Sequence, residues 1–277
     1  MPTTVLTFAE KKRRHERIAL ITAYDAITAT MVHTAGVDGI LVGDSVGMVS
    51  AGFETTLPVT LEAMLYHTSS VARGARGAFI IADMPFLSYQ CGHDDAVRNA
   101  GRFLKEAGAQ AVKLEGCDPA LVRRLVSVGI PVMGHIGLTP QSIHAFGGFR
   151  AQGKTAESAT NLVEQAKALD SAGCFSMVLE CVPAPLAARI TQSVKAATIG
   201  IGAGLECDGQ VSVIHDLLGL STGYLPRHAK RYAEFYKEGL AAIRSYVDEV
   251  RSGAFPGPEH SIADSTEKHK PVSSSES

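Results

Sequence analysis

No two cysteines in the sequence are spaced CxxC, and the five present (Cys91, Cys117, Cys174, Cys181 and Cys207) are scattered and odd in number. That pattern argues against a disulfide framework or a zinc site and suits free thiols in a reducing compartment. No apolar run approaches the roughly 18 residues of a membrane span. Charge is nearly balanced, with a formal net of −2, so composition makes no case for nucleic acid or a membrane surface as partner. The amino-terminal MPTTVLTFAEKKRRHERIAL is basic but lacks a following apolar region and small-residue cleavage site, so it does not read as a signal peptide. Its KKRR run reads as a solvated helix face beside the first strand. A strict GxGxxG with its downstream acidic residue is missing, as is a serine nucleophile elbow. The expectation is a soluble, cytoplasmic protein.

What is present is a regular alternation. Hydrophobic residues make up 45% and charged residues 19% of the 277, a globular balance with ample material for one core. Eight apolar runs of strand length recur: 18–25, 39–45, 78–85, 110–116, 130–137, 175–182, 198–204 and 210–216. Between them lie stretches with helical spacing, such as 60–74, 94–108 and 156–173, several closed by an AG or RG that reads as a helix C-cap. Near-continuous apolar strands alternating with helices imply a parallel sheet with its outer face covered. Eight units favour a (β/α)8 TIM barrel, with an open doubly wound sheet as the alternative. Residues 1–261 are expected to form a single barrel domain. Residues 262–277, rich in serine and charge, are expected to be a disordered tail. The long connection 138–155 carries aromatic and basic residues suited to covering a site.

Barrel active sites lie at the carboxyl ends of the strands. The ends here supply Asp25, Asp44 and Ser45, Asp83, Lys113 with Glu115, His135, Glu180, Gly202 and Gly204, and His215 with Asp216. Ordinary capping accounts for one or two of these, such as Asp25 and Asp216. It accounts poorly for Lys113 and Glu115, which share a face at a strand's period of two. If Asp44, Asp83, Glu115 and Glu180 converge with Lys113 and His135, the carboxylates outnumber the certain cation and cannot all stay ionised unaided. A hard divalent ion such as Mg2+ would resolve the excess, and a hydrogen-bonded structural cluster is the alternative. The glycines of IGIGAG fit a phosphate site or a tight turn equally well. His33, His67 and His93 fall on helix-like stretches and read as surface or packing residues, and the cysteines as small buried hydrophobes.

The motifs TAYDAITA, LVGDSVGM, TLPVTLEAMLYHTSSVARG, IIADMPFLSY, VKLEG, GHIGLTPQS, FGGFRAQG, LECVP and IGIGAGLECDGQ occur in this order. With them the chain resembles the ketopantoate hydroxymethyltransferase family from about residue 3 to about residue 261. The resemblance implies a barrel of the phosphoenolpyruvate mutase/isocitrate lyase type. It implies transfer of a hydroxymethyl group from 5,10-methylenetetrahydrofolate to 3-methyl-2-oxobutanoate, giving 2-dehydropantoate (ketopantoate) in pantothenate biosynthesis through a Mg2+-stabilised enolate. It also implies a homo-oligomer, often a homodecamer. By the same resemblance Asp44 and Asp83 are direct Mg2+ ligands and Glu115 is the third metal-site carboxylate. Asp44, Ser45, Asp83 and Lys113 contact the oxo acid, Glu180 is the catalytic base, and His135 supports the site. Apolar Val178, Leu179 and Val182 would help Glu180 act as a base if its surroundings are dry. Departures from the family pattern, at Ile136, Phe149 and 225–233, touch none of these positions. A lyase of the same superfamily would carry a Lys-Lys-Cys-Gly-His loop, which is missing. A binding barrel without catalysis is the other competitor.

Overall fold

Each apolar run becomes a parallel strand, shorter than the run itself. In the computed structural model, which describes residues 2–221, 223 and 225–262, the strands are β1 Ile18–Thr22, β2 Gly39–Val42, β3 Ile80–Asp83, β4 Ala111–Lys113, β5 Val132–Gly137, β6 Ser176–Glu180, β7 Ala197–Ile201 and β8 Gly209–Ser212. They pair in sequence order, and β8 closes on β1 with Ile18 opposite Gly209. The barrel expectation is therefore met, and the open sheet is excluded because no strand is left as an edge.

Local chemistry sets the helix boundaries. The Ala26–Thr34 helix starts where the Asp25 carboxylate accepts from the amides of Ile27 and Thr28. Thr60 caps Leu61–Gly74, Asp118 caps Pro119–Ser127, and Thr155 and Ser158 form a reciprocal box at the start of Ala156–Ala172. Gly173 ends that last helix in the left-handed region. The three helices expected at 60–74, 94–108 and 156–173 appear as Leu61–Gly74, His93–Lys105 and Ala156–Ala172.

The barrel interior follows the strand period of two. Leu20, Leu41, Ile81, Ala111, Met133, Val178, Ile199 and Val211 form one buried apolar cluster inside it. Phe8, from the Val5–Arg14 helix, joins that cluster. Its ring packs against Phe79 and Phe175, at centroid distances of 5.5 and 5.2 Å. Phe79 and Phe175 immediately precede β3 and β6, so this helix closes the amino-terminal end of the barrel. Two steps up the same inward face from Ile81, Ala111, Met133 and Val178 stand Asp83, Lys113, His135 and Glu180. The lower interior is apolar and the carboxyl-terminal mouth is charged.

Several expectations need correction. Lys11 and Lys12 of KKRR are not part of a solvated face: Lys11 pairs with Asp38, and Lys12 reaches Asp208 at 2.8 Å and the carbonyls of Thr191 and Ala196. His215 and Asp216 do not end a strand, because β8 stops at Ser212 and both lie in the short Ile214–Leu218 helix. Cys91 and Cys117 are exposed, Cys181 is half-buried, and only Cys174 and Cys207 are buried. The 138–155 connection is broken by a 3-10 turn at Pro140–Ser142 and a helical turn at Ile143–Phe146. Of the tail expected at 262–277, residues 263–277 lie outside the described residues. Among the described residues, no helix is long and apolar enough to cross a membrane.

Candidate active site

Three carboxylates meet at the barrel mouth. Asp44 follows β2, Asp83 ends β3 and Glu115 lies two residues beyond the end of β4, all with buried side chains. Each offers an oxygen within 4.8 Å of the others. Asp83 and Lys113 are register partners across β3 and β4, and the Lys113 Nζ donates to both Asp83 oxygens at 2.6 and 2.7 Å. Glu115 is 3.6 Å from the same ammonium and accepts from the Gln141 backbone amide at 2.9 Å. The Asp44 backbone amide donates to Asp83 Oδ2 at 3.4 Å.

One ammonium faces three buried carboxylates, and the electrostatics follow. Burial, then the charges of Asp83 and Glu115, push Asp44 well above the usual carboxylate range. Asp83 is also raised by burial, against the opposing pull of Lys113. Burial pushes Glu115 up as well, but Lys113, His135 and the Gln141 amide outweigh it, and its net shift is downward. Lys113 is raised despite its burial, because Asp83, Glu115 and Asp44 surround it. An all-oxygen donor set with surplus negative charge fits a hard divalent cation. Asp83 can serve Lys113 and a cation together, since each carboxylate oxygen has two lone pairs.

Across the mouth, His135 on β5 lies between two acids. Its Nδ1 is 3.5 Å from Glu115 and its Nε2 3.3 Å from Glu180, yet neither buried nitrogen is aligned for a hydrogen bond. Burial and Lys113 push the imidazole down, but Glu115 and Glu180 prevail and raise it to about 9. Glu180, at the end of β6, keeps 17% of its side chain in contact with solvent. Val178 and Leu179 are buried on opposite faces of the strand, in the barrel interior and beneath the helices. The dry enclosure expected around Glu180 is thus only partial, and its nearest charged neighbour is an imidazole. Ser45 stands beside Asp44, with its hydroxyl 2.8 Å from the Tyr24 hydroxyl, and burial pushes that phenol up to about 12.

The structure therefore brings together all seven residues singled out from the sequence: Asp44, Ser45, Asp83, Lys113, Glu115, His135 and Glu180. Asp25 is a helix cap. His67 Nδ1–H donates to the Tyr24 carbonyl, 2.7 Å away, and His93 sits 3.3 Å from Asp118.

The sequence model of the ketopantoate hydroxymethyltransferase family matches residues 2–258. The chain belongs to the ketopantoate hydroxymethyltransferase family. It is 54% identical over 261 residues to the 3-methyl-2-oxobutanoate hydroxymethyltransferase of Carboxydothermus hydrogenoformans, covering 94% of this chain and 95% of that one. To the enzyme of that name from Enterococcus faecalis it is 51% identical over 264 residues, covering 94% and 95%. Among solved structures, a phosphonopyruvate hydrolase superposes with a TM-score of 0.59 at 13% identity, covering 96% of this chain and 93% of that one. A 2,3-dimethylmalate lyase, described as a member of the PEP mutase/isocitrate lyase superfamily, does so with a TM-score of 0.58 at 15% identity, covering 96% and 93%. These two likenesses show the fold alone, and it is the barrel type expected.

Reading the sequence of this hydroxymethyltransferase family member did not single out Gln141. It is buried in the turn after β5, where its Nε2 donates to Asp44 Oδ2 and to the Met84 carbonyl, both at 2.9 Å. Its Oε1 accepts from the Tyr89 hydroxyl at 2.7 Å, and its backbone amide holds Glu115. One residue thus orients two of the three clustered carboxylates. Replacing residues that orient metal-ligating side chains typically lowers metal affinity about 10–100-fold. Gln141→Ala is expected to weaken Mg2+ binding, measured by calorimetric titration, by at least about tenfold. Unchanged affinity would mean that the side-chain bond to Asp44 plays no part in orienting it, since the backbone amide on Glu115 survives the substitution.

Proposed function

We propose that this chain transfers a hydroxymethyl group from 5,10-methylenetetrahydrofolate to 3-methyl-2-oxobutanoate, forming ketopantoate. The observation that carries this reading is the opposition of Glu180 to the Asp44–Asp83–Glu115 cluster across one barrel mouth, with Lys113 and His135 between. The branched carbon of the oxo acid is acidic only through its ketone, so deprotonation needs a base on one side and electrophilic stabilisation on the other. A divalent ion such as Mg2+ held by Asp44, Asp83 and Glu115 would supply Lewis acidity to the ketone.

The side chains divide the remaining work. Glu180 takes the methine proton. Lys113 has two N–H groups on Asp83 and a third left to donate to the oxo acid as negative charge develops on its keto oxygen. His135, a cation at neutral pH, attracts the Glu180 carboxylate 3.3 Å away, and Ser45 with Asp44 borders the substrate. The nucleophilic carbon then bonds to the donor's one-carbon unit as both of its bonds to nitrogen break; one nitrogen takes the proton that Glu180 removed and the other a proton from the water that supplies the hydroxyl. One water is consumed per turnover, since the donor's methylene is bonded to nitrogen and the product's hydroxymethyl carries oxygen.

Proton NMR of 3-methyl-2-oxobutanoate in D2O tests this directly. With protein and Mg2+ the methine signal should fade, and ketopantoate should appear only when methylenetetrahydrofolate is added. Exchange without product would remove the proposed donor, and neither exchange nor product would remove the transferase reading.

We also infer that residues 1–261 act as one catalytic domain in a cytoplasmic homo-oligomer. The Phe235–Ser252 helix buries none of its residues, and Tyr236, Ile243 and Tyr246 stand exposed along it, a face that a second copy would cover. Sedimentation as a 29.2 kDa species would refute the oligomer.

A further inference from the structure

Beside the charged mouth is a cavity of about 360 Å3, within the roughly 300–1,000 Å3 range of small-molecule sites. It begins one residue past the ends of two paired strands: Glu180 and Ile201 are register partners on β6 and β7, and Cys181 and Gly202 line the cavity. Pro183, Ala184, Gly204 and Ala151 add small or flat walls, and Arg227 and His228 form the remaining side.

The glycines let the walls of this cavity pack closely. Gly202 and Gly204 have φ of +65° and +85°, a region that side-chain-bearing residues rarely adopt. A Cβ on Gly202 would come within 3.0 Å of the His228 ring, and one on Gly204 within 2.5 Å of the Ala184 methyl. The IGIGAG segment is therefore a tight turn that allows close approach of 228 and of the Ala184–Ser193 helix. The tight turn among the sequence readings is seen.

The lining is chemically asymmetric. Its one thiol, Cys181, is half-buried and pushed up to about 11 by burial. Asp216 lies within electrostatic range of His228 and Arg231, and Arg231 also donates to the Ser221 carbonyl. Arg227 is exposed and makes no salt bridge among the described residues. A flat, small-residue slot with one uncompensated guanidinium at its side suits a planar molecule carrying a carboxylate.

Position decides which molecule. The carboxylate cluster on β2, β3 and β4 lies on one side of the mouth and Glu180 on the other. An oxo acid anchored at the cluster turns its branched carbon towards β6. The second reactant must approach that carbon, so its place is beside β6 and β7, where the cavity is. We propose that this cavity seats the one-carbon donor, with a planar ring of the reduced folate against the glycine turn after β7 and a carboxylate of its glutamate tail on Arg227. This rests on the hydroxymethyltransferase reading above.

The test uses steady-state kinetics of the full-length protein with Mg2+, varying each substrate in turn, for wild type, Arg227→Ala, Arg227→Lys and Ala151→Trp. Arg227→Ala is expected to raise KM for methylenetetrahydrofolate about tenfold or more, and Arg227→Lys to recover part of the loss. Ala151→Trp, which fills the cavity from an exposed position, should do the same without removing charge. KM for the oxo acid and the donor-independent methine exchange should stay within about twofold, because neither depends on the donor. If wild type forms ketopantoate and neither Arg227→Ala nor Ala151→Trp changes the donor's KM, the cavity assignment is overturned while the transferase reading stands. If wild type exchanges the methine proton but makes no product with the donor, the transferase reading itself fails.

Discussion

Glu180→Gln is expected to slow methine exchange of 3-methyl-2-oxobutanoate by about 10²–10⁴-fold, the usual worth of a positioned general base. The substitution keeps the shape of the side chain and its reach towards His135, but an amide cannot accept the proton. Glu180 contributes nothing to the Asp44–Asp83–Glu115 cluster on the far side of the mouth, so Mg2+ affinity and oxo-acid affinity should change by no more than about threefold. That split separates loss of a base from loss of a fold, because a misfolded variant would lose all three properties together. Exchange near the wild-type rate would take Glu180 out of the mechanism and leave solvent as the proton acceptor.

The second large effect is on stability. Lys113 and Asp83 are paired with side chains only 4% and 3% exposed. Burying such a pair yields little net stability, but removing one partner strands the other charge and costs about 3–5 kcal/mol. Lys113→Met should be worse placed than most, because Asp44 and Glu115 are left beside the stranded Asp83. For a chain of this size the loss corresponds to a fall in Tm of roughly 5–15 °C. Saturating Mg2+ should return part of it, since a bound cation stabilises the folded state and supplies the missing positive charge. The double variant Lys113→Met with Asp83→Leu should recover stability without recovering activity. A single variant melting within about 1 °C of wild type would show that the carboxylates are not uncompensated in the folded protein.

How much of this was readable in the sequence depends on the range of the interaction. Strands buried on both faces read as near-continuous apolar runs, so their number and order were plain, and with them the residues that end them. Asp83, Lys113, His135 and Glu180 stood out because a charged residue on the inward phase of an apolar strand has no bland explanation. Gln141 and Tyr89 carry no such signal. Neither ends a strand, and what gives Gln141 its place is a turn that folds back over Asp44 and Glu115. The run QVSVIHD looked like a strand to its end, but β7 pairs with β8 only at Gly209 and Gln210, and the chain turns into a helix before His215. Lys12 looked solvated because its partner, Asp208, is 196 residues away.

That last separation has a consequence for how the protein is made. The Val5–Arg14 helix leaves the ribosome ahead of all eight strands, yet Phe8 waits for Phe175 and Lys12 for Asp208. At about 5–20 residues per second of synthesis, the interval to residue 208 is roughly 10–40 s. β1 waits equally long for β8. Through that time the open barrel presents the unpaired edge of β1 and the apolar face around Phe8, the kind of surface that chaperones bind and that aggregates when they do not. A helix made before every strand of the barrel is thus among the last elements to find its place.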